Sequence, residues 1–438
     1  MIWGKRGWLV LWTWGLASVI DPVRADDLLT AYRLALRHDA QYSAALAQRR
    51  AGDEGLNQGR AGLLPQISFD AQTSWSETEY EVVNGAIKKR RQNRSYGVQL
   101  VQPLFRWQSW IQYQQGGLQK LLAELQAKSA GQALMLRVAE AYFNVLNAAD
   151  VIDALEQLQA ADELQLASAR KNFDLGNASI VDVHEAQMSH DRITAQLVKA
   201  RSDLVLARHA LARLTGRRPG ALKRLGNQVM LSPPEPVDVE AWVMNAERDS
   251  LEVQTQELVL QIAGNEVRSR KAEHLPTLDM VVSQNMQQSP NVSTERSESA
   301  AIGVRLSMPL FSGGRTTSSA REAVALHQQA EYELEDTRRG AALAAREAWS
   351  GVMDGIAQVK ALEVARVSAD TAVRSNRRGY QVGVRTGADV LEVQGQLSDF
   401  VQQLAKARYD VLFAQLRLKA AIGALSPVDL DKINVLLE

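Results

Sequence analysis

Side chains able to do acid–base, nucleophilic or metal chemistry are abundant in this chain but poorly arranged for it. The six histidines (His38, His184, His190, His209, His274, His327) contain no HExxH pair, and His184 and His190 are spaced badly for sharing one helical face. Cysteine is absent, which excludes thiolate metal sites, a cysteine nucleophile, disulfides and a lipid-bearing N-terminal cysteine. No P-loop, G-x-G-x-x-G or G-x-S-x-G segment occurs, so no enzyme, cofactor or metal is expected. The segment that does stand out is YQVGVRTGADVLEVQ (380–394). Gly383 and Gly387 bracket Arg385, and Asp389 and Glu392 follow where the helix-forming composition resumes. Glycine supplies the positive φ of a tight turn, and an acidic or hydroxyl side chain just beyond it caps the next helix. The segment therefore reads as a sharp reversal between two helices.

That reversal has a twin. FDLGNASIVDVHEAQ (173–187) precedes it by 207 residues, and this offset pairs Gly176 with Gly383, Asp182 with Asp389 and Gln187 with Gln394. Ser179 stands ready to cap the first returning helix as Asp389 does the second. The register also matches Glu140-Ala141-Tyr142 with Glu347-Ala348-Trp349, and Gly216 with Gly423. LLPQISFD (63–70) answers HLPTLDM (274–280), and VQPLF (101–105) answers SMPLF (307–311). A tandem duplication of this size is too long for a solenoid period and implies two pseudo-symmetric halves.

Composition sets the compartment. Lys+Arg and Asp+Glu both count 50, so no basic surplus points to nucleic acid. Residues 1–25 carry a basic start (Lys5, Arg6), an apolar run from Gly7 to Ile20 and a small-x-small end at Val23-Arg24-Ala25, the pattern of a secretory signal peptide. Its removal leaves 47 bases against 49 acids. Beyond it no apolar run reaches the roughly 18 residues of a membrane helix, so any span of the membrane must use strands.

The elements that position the reversals follow from proline. Pro65 and Pro276 precede alternating segments, and Pro103 and Pro309 close them; a proline-free run follows each, and proline is excluded from helix interiors. Helices are expected at 27–62, 107–174 and 179–216, and again at 237–273, 314–381 and 387–422. The long ones reach ~100 Å, so two short helices end to end flank each of them. Seams such as Ala141, Val145, Ala148, Ile152, Leu155 and Ala407, Val411, Ala414, Leu418, Ala421 step by three and four, as coiled-coil packing requires. Ile67, Phe69, Ala71 and Trp75 alternate with Ser68, Asp70, Gln72 and Ser74, and similar alternation recurs around 96–100, 278–283 and 302–307. Polar loops at 83–93 and 286–298 are expected hairpin tips. Four strands cannot close a barrel in hydrocarbon, so several copies must share one wall. Three copies give twelve strands and two give eight; lumen width favours three. The expected fold is mainly α with a transmembrane β part. Its organisation is a signal peptide (1–25), first repeat (26–216), linker (217–236), second repeat (237–423) and tail (424–438).

AYFNVLNAADVIDA (141–154), FDLGNASIVDV (173–183), LARLTG (211–216) and YQVGVRTGADVLEVQ (380–394) closely resemble the TolC family of bacterial outer-membrane export channels, in family order over nearly the whole mature chain. The resemblance implies a homotrimer with a twelve-stranded barrel in outer-membrane lipid and a long periplasmic α-barrel. The linker and tail would supply an equatorial belt, thinned by the short tail. It also implies a function as the exit duct for type I protein secretion or drug efflux, docked at the periplasmic tip to an adaptor (membrane fusion) protein and an inner-membrane ABC or other export pump. Matched by position, Asp182, Tyr380 and Arg385 would form a polar latch between neighbouring hairpins. Asp389 would face the lumen as one carboxylate of a three-fold ring, with Glu392 one turn on where the family often has aspartate. Leu175, Gly176, Asn177, Ala178 and Ser179, with Val382, Gly383, Val384, Thr386 and Gly387, would be the docking tips. A trimeric coiled-coil adhesin is the alternative of a different class; such a fibre needs no duplicated hairpins.

Overall fold

The computed structural model describes residues 26–83, 85–226, 229–288 and 296–437; the expected signal peptide lies outside them. One pattern appears twice. The first copy is α1 (Leu28–His38), α2 (Ala40–Ala61), β1 (Gln66–Val82), β2 (Gly85–Phe105), α3 (Trp107–Asp174) and α4 (Ile180–Thr215). The second is α5 (Val239–Asp249), α6 (Leu251–Ala272), β3 (Thr277–Gln288), β4 (Arg296–Ser307), α7 (Arg315–Gln381) and α8 (Gly387–Ala421). A short α9 (Pro427–Asn434) follows. Among the described residues no helix is long and apolar enough to cross a membrane.

The single helices expected over 27–62 and 237–273 are each divided after their first 11 residues. Asp39 and Ser250 take extended backbone there, and each side chain caps the helix that follows, accepting from Tyr42 N at 2.7 Å and Val253 N at 3.2 Å. A short polar side chain thus competes with the helical ladder and breaks it. Burial pushes the Asp39 carboxyl up, but the Tyr42 amide and both guanidinium nitrogens of Arg137 outweigh it and hold the group below the usual carboxylate range.

The 68 residues of α3 extend ~100 Å, and α2 and α4 pack along its two halves. Near the sheet, Gly52 on α2 meets Ala123 on α3, Gly55 meets Gly116, and Gly59 meets the backbone of Gln112 and Tyr113. A Cβ at Gly116 would lie 2.4 Å from the Gly55 carbonyl oxygen. Gly116→Val is therefore expected to force the helices apart and cost about 1–3 kcal/mol, read as a lowered midpoint in thermal denaturation by circular dichroism. An unshifted midpoint would show that the seam yields freely.

The largest apolar cluster lies midway along the helices. Leu28, Leu134, Val138, Tyr142, Leu211, Leu412 and Leu416 are nearly or wholly buried there, together with Leu430 and Ile433 of α9. The Tyr142 hydroxyl sits 3.0 Å from the Asp26 and Lys223 carbonyls. The tail closes onto this cluster through Asn434 Nδ2, which donates to Asp27 at 3.0 Å, and through a bridge between Leu225 and Leu437. In the second half Val352, Ile356, Val359 and Leu362 pack on Leu404, Ala407, Val411 and Leu418.

The strands form one antiparallel sheet, β1-β2-β3-β4. Register places Ile67, Leu100, Val282 and Ile302 in one row and Phe69, Val98, Gln284 and Ala300 in the next. The opposite face is polar, with Ser68, Gln99, Ser283 and Ala301 in one row. Two sequence expectations are corrected. Residues 85–93 are strand rather than loop, since β1 and β2 stay paired to Val82 and Gly85. Charged pairs, Glu77 opposite Arg90 and Glu79 opposite Lys88, replace the apolar alternation that would have revealed the ladder. Residues 286–288 and 296–298 are likewise paired; 289–295 lie outside the described residues. Pro103 sits inside β2 at a register shift instead of closing it. At the sheet's foot Arg106, just before α3, grips Asp279 of β3 with two bonds of 2.9 and 2.7 Å. Among the described residues β1 and β4 each pair with one strand, which leaves two open edges.

Candidate functional site

The two reversals lie together at the end of the helices away from the sheet, and each is built the same way. Helix α3 ends as Leu175 N donates to Lys171 O and Gly176, at φ 75°, turns the chain. Helix α7 ends as Val382 N donates to Arg378 O and Gly383 turns at φ 78°. Positive φ is what makes glycine necessary at both. Ser179 and Thr386 are the N-caps of α4 and α8, while Asp182 and Asp389 stand at the third helical position and complete capping boxes. Asp389 is thus not the N-cap the sequence suggested; its carboxylate accepts from Thr386 N at 2.9 Å and Asp182 from Ser179 N at 2.8 Å.

The tips enclose a cavity of about 480 Å³, walled in part by Gln165, Asn172, Asp182, Tyr380, Arg385 and Thr386. Asp182, Tyr380 and Arg385 therefore share one wall, yet within a chain they do not bond to one another. The Tyr380 hydroxyl accepts from Asn172 Nδ2 at 3.1 Å and ties the second hairpin to the first. Arg385 lies 3.9 Å from Asp389. Its stem crosses Gly379, where a Cβ would come within 2.7 Å. The Thr386 amide, then the Thr386 hydroxyl and Arg385, hold the Asp389 carboxyl below the ordinary carboxylate range. Glu392 is exposed and accepts from Gln396 at 3.3 Å. Leu175, Val382 and Val384 leave most of their apolar surface in solvent at the tips.

Above each tip an arginine on the long helix clasps a glutamine on the return helix. Arg170 donates to Gln187 at 2.6 Å. Arg377 reaches Gln394 at 3.1 and 2.8 Å, with that amide turned so its oxygen faces the guanidinium. The pairs are related by the 207-residue offset, as are Arg201–Glu156 and Arg408–Glu363. Applying the offset to every charged residue would have found them; Asn172 carries no such signal. The symmetry fails at Asp162, which is fully buried and takes a 2.6 Å bond from Ser189, whereas its counterpart is Ala369. One Asp162 oxygen is unpartnered. Burial pushes its carboxyl up against the opposing pull of Ser189, Arg192 and His190. A raised folded value means that the native state takes up the proton first. Its cost is full at neutral pH and fades as pH falls toward the unfolded value near ~3.9. Asp162→Ala with Ser189→Ala is expected to stabilise the hairpin by about 1 kcal/mol at pH 7, with the gain shrinking on acidification. Urea unfolding at two pH values measures it, and a pH-independent or negative effect would contradict it.

Among the described residues no cluster of His, Asp or Glu suits a metal ion. The sequence matches the model of the outer membrane efflux protein family over residues 31–217 and 242–424. It is 31% identical over 435 residues to the alkaline protease secretion protein AprF of Pseudomonas aeruginosa, covering 97% of this chain and 90% of that protein. It is 30% identical over 426 residues to the outer membrane protein TolC of Vibrio cholerae, covering 96% and 95%. Among solved structures the fold is shared with CusC (TM-score 0.79, 18% identity, 91% of this chain and 92% of that one). It is shared also with VceC of Vibrio cholerae (TM-score 0.77, 18% identity, 90% and 96%). Matched across both repeats and from end to end by these relatives, the chain belongs to the outer membrane efflux protein family of channel proteins.

Proposed function

We propose that three copies of this chain complete a twelve-stranded barrel and serve as the outer-membrane exit duct of a type I protein secretion system. The observation that carries the duct is the sheet itself: four strands with an apolar face, a polar face and two open edges, standing on helical hairpins ~100 Å long. Open edges are not tolerated in hydrocarbon, so neighbouring copies must pair β4 with β1. Protein cargo is favoured by the relative named for alkaline protease secretion and by another, 28% identical, named for protease secretion in Dickeya chrysanthemi. The apolar tips, Leu175, Val382 and Val384 with Gly176, Asn177, Ala178, Ser179, Gly383, Thr386 and Gly387, form the surface on which a periplasmic adaptor and an inner-membrane pump dock. Asp182, Tyr380 and Arg385 latch the hairpins there, and Asp389, backed by Glu392, rings the narrowest point.

Deleting the protein and comparing secreted proteins with drug sensitivity tests the cargo. Loss of an exported protein with unchanged drug tolerance is expected; the reverse would make efflux the function. For the ring, Asp389→Ala is expected to reduce cation selectivity in planar bilayers by severalfold, because three charges leave one axis together. Reversal potentials equal to those of the unaltered protein would remove Asp389 from the ring.

A further inference from the structure

The apolar face of the sheet ends abruptly, and what stands at its upper limit is basic. Counting up from the paired Leu278 and Leu306 at the foot, ten residues along β3 lead to the row holding Thr73, Arg94, Gln288 and Arg296. Ten residues span ~34 Å of strand, which at a barrel tilt of ~40° is about 25 Å of height, the thickness of an outer-membrane apolar band. The row below carries Tyr96 and the row above carries Trp75, 75% exposed, as expected of the aromatic girdle at a lipid–water boundary. At the foot Phe105, Trp107 and Phe311 mark the opposite boundary.

Arg94 and Arg296 therefore share the lipid-facing side at headgroup height, two strands and about 10 Å apart. Higher on the hairpin the bases are matched, with Arg90 on Glu77 at 3.1 Å and Lys88 on Glu79 at 3.6 Å. Arg296 has a single carboxylate, Glu298, and Arg94 is exposed with no carboxylate against it among the described residues. Among the described residues, a three-fold barrel thus carries six guanidiniums at this level, with the Glu298 carboxylates one row below beside Tyr96. A guanidinium at the edge of hydrocarbon needs an anion, and its planar fork suits phosphate oxygens.

From this placement we propose that Arg94 and Arg296 form a binding site for the phosphorylated headgroup of an outer-leaflet lipid, one site on each copy of the chain. The site rests on the outer-membrane placement of the sheet. Its ligand is a diphosphorylated lipid lying against the apolar rows, with acyl chains on Phe69, Val98 and Ile302 and phosphates on the two arginines.

The test is retention of diphosphorylated lipid A by the full chain purified in detergent, read by native mass spectrometry, with dephosphorylated lipid A and inorganic phosphate as the other probes. The unaltered protein is expected to bind the diphosphorylated lipid in preference to both. Arg94→Ser with Arg296→Ser is expected to weaken that binding about tenfold or more. Lys89→Ser with Arg91→Ser, which removes two bases from the opposite face of β2, is expected to leave it intact. Equal binding by the Arg94/Arg296 variant, an equal loss in the Lys89/Arg91 variant, or full competition by free phosphate would each overturn the site. Channel conductance of the same preparations in zwitterionic bilayers reads the outer-membrane placement separately. Normal conductance with lost lipid retention supports the site, whereas silence of the unaltered protein removes its foundation.

Discussion

Tyr380→Phe combined with Arg385→Ser is expected to raise the resting conductance of the channel at least about tenfold. The first change removes the 3.1 Å bond from Asn172 that joins the two hairpins of one chain. The second removes the cation 3.9 Å from Asp389, so the carboxylate at the tip loses its counter-charge. The bond between Asn172 and Tyr380 is worth about 1 kcal/mol, and three copies lose it together. A combined bias of several kcal/mol moves a closed population toward open by orders of magnitude if the same contacts are absent in the open form. The helices themselves should stand, because Ser179, Thr386, Asp182 and Asp389 still close both capping boxes. Single-channel recording distinguishes the outcomes: an unchanged closed-state current would remove Tyr380 and Arg385 from the latch.

Arg106→Leu is expected to damage the junction between barrel and helices more than any change at the tips. The Arg106–Asp279 pair is two-pronged, and the Asp279 side chain is only 10% exposed. Removing the guanidinium strands a carboxylate in a poorly hydrated site, at a cost of about 3–5 kcal/mol. Most of that cost comes from the orphaned charge, so adding Asp279→Asn should recover more than half of it. Assembled protein remaining after graded heating measures both variants. If Arg106→Leu melts with the unaltered protein, the pair is not a clamp, and if Asp279→Asn gives no rescue, the loss is one of packing.

Much of this architecture was legible because proline and glycine punctuate it. The proline-free runs gave the bounds of α3 and α7 to within a residue, and the glycines with Ser179 and Asp389 marked where each chain reversal lies. The breaks at Asp39 and Ser250 were hidden, since a lone aspartate or serine among helix formers looks the same whether it faces solvent or caps. Strand beyond Trp75 was hidden too, because cross-strand charge pairing leaves no apolar period to read. Helix α9 is short and weakly patterned; it is held by Leu430 and Ile433 seating on a cluster that exists only after folding. At the tips, residue types marked Tyr380 and Arg385 through resemblance. Their actual partners within the chain, Asn172 and Asp389, are set by how two hairpins 207 residues apart lie together.

A single copy offers half-finished edges on β1 and β4, and the whole account follows from their being completed by identical neighbours. The mass of the detergent-solubilised protein, measured with bound detergent accounted for, tests this most directly. Three times the mass of the mature chain is the expected result. A folded, stable particle of one chain would contradict it.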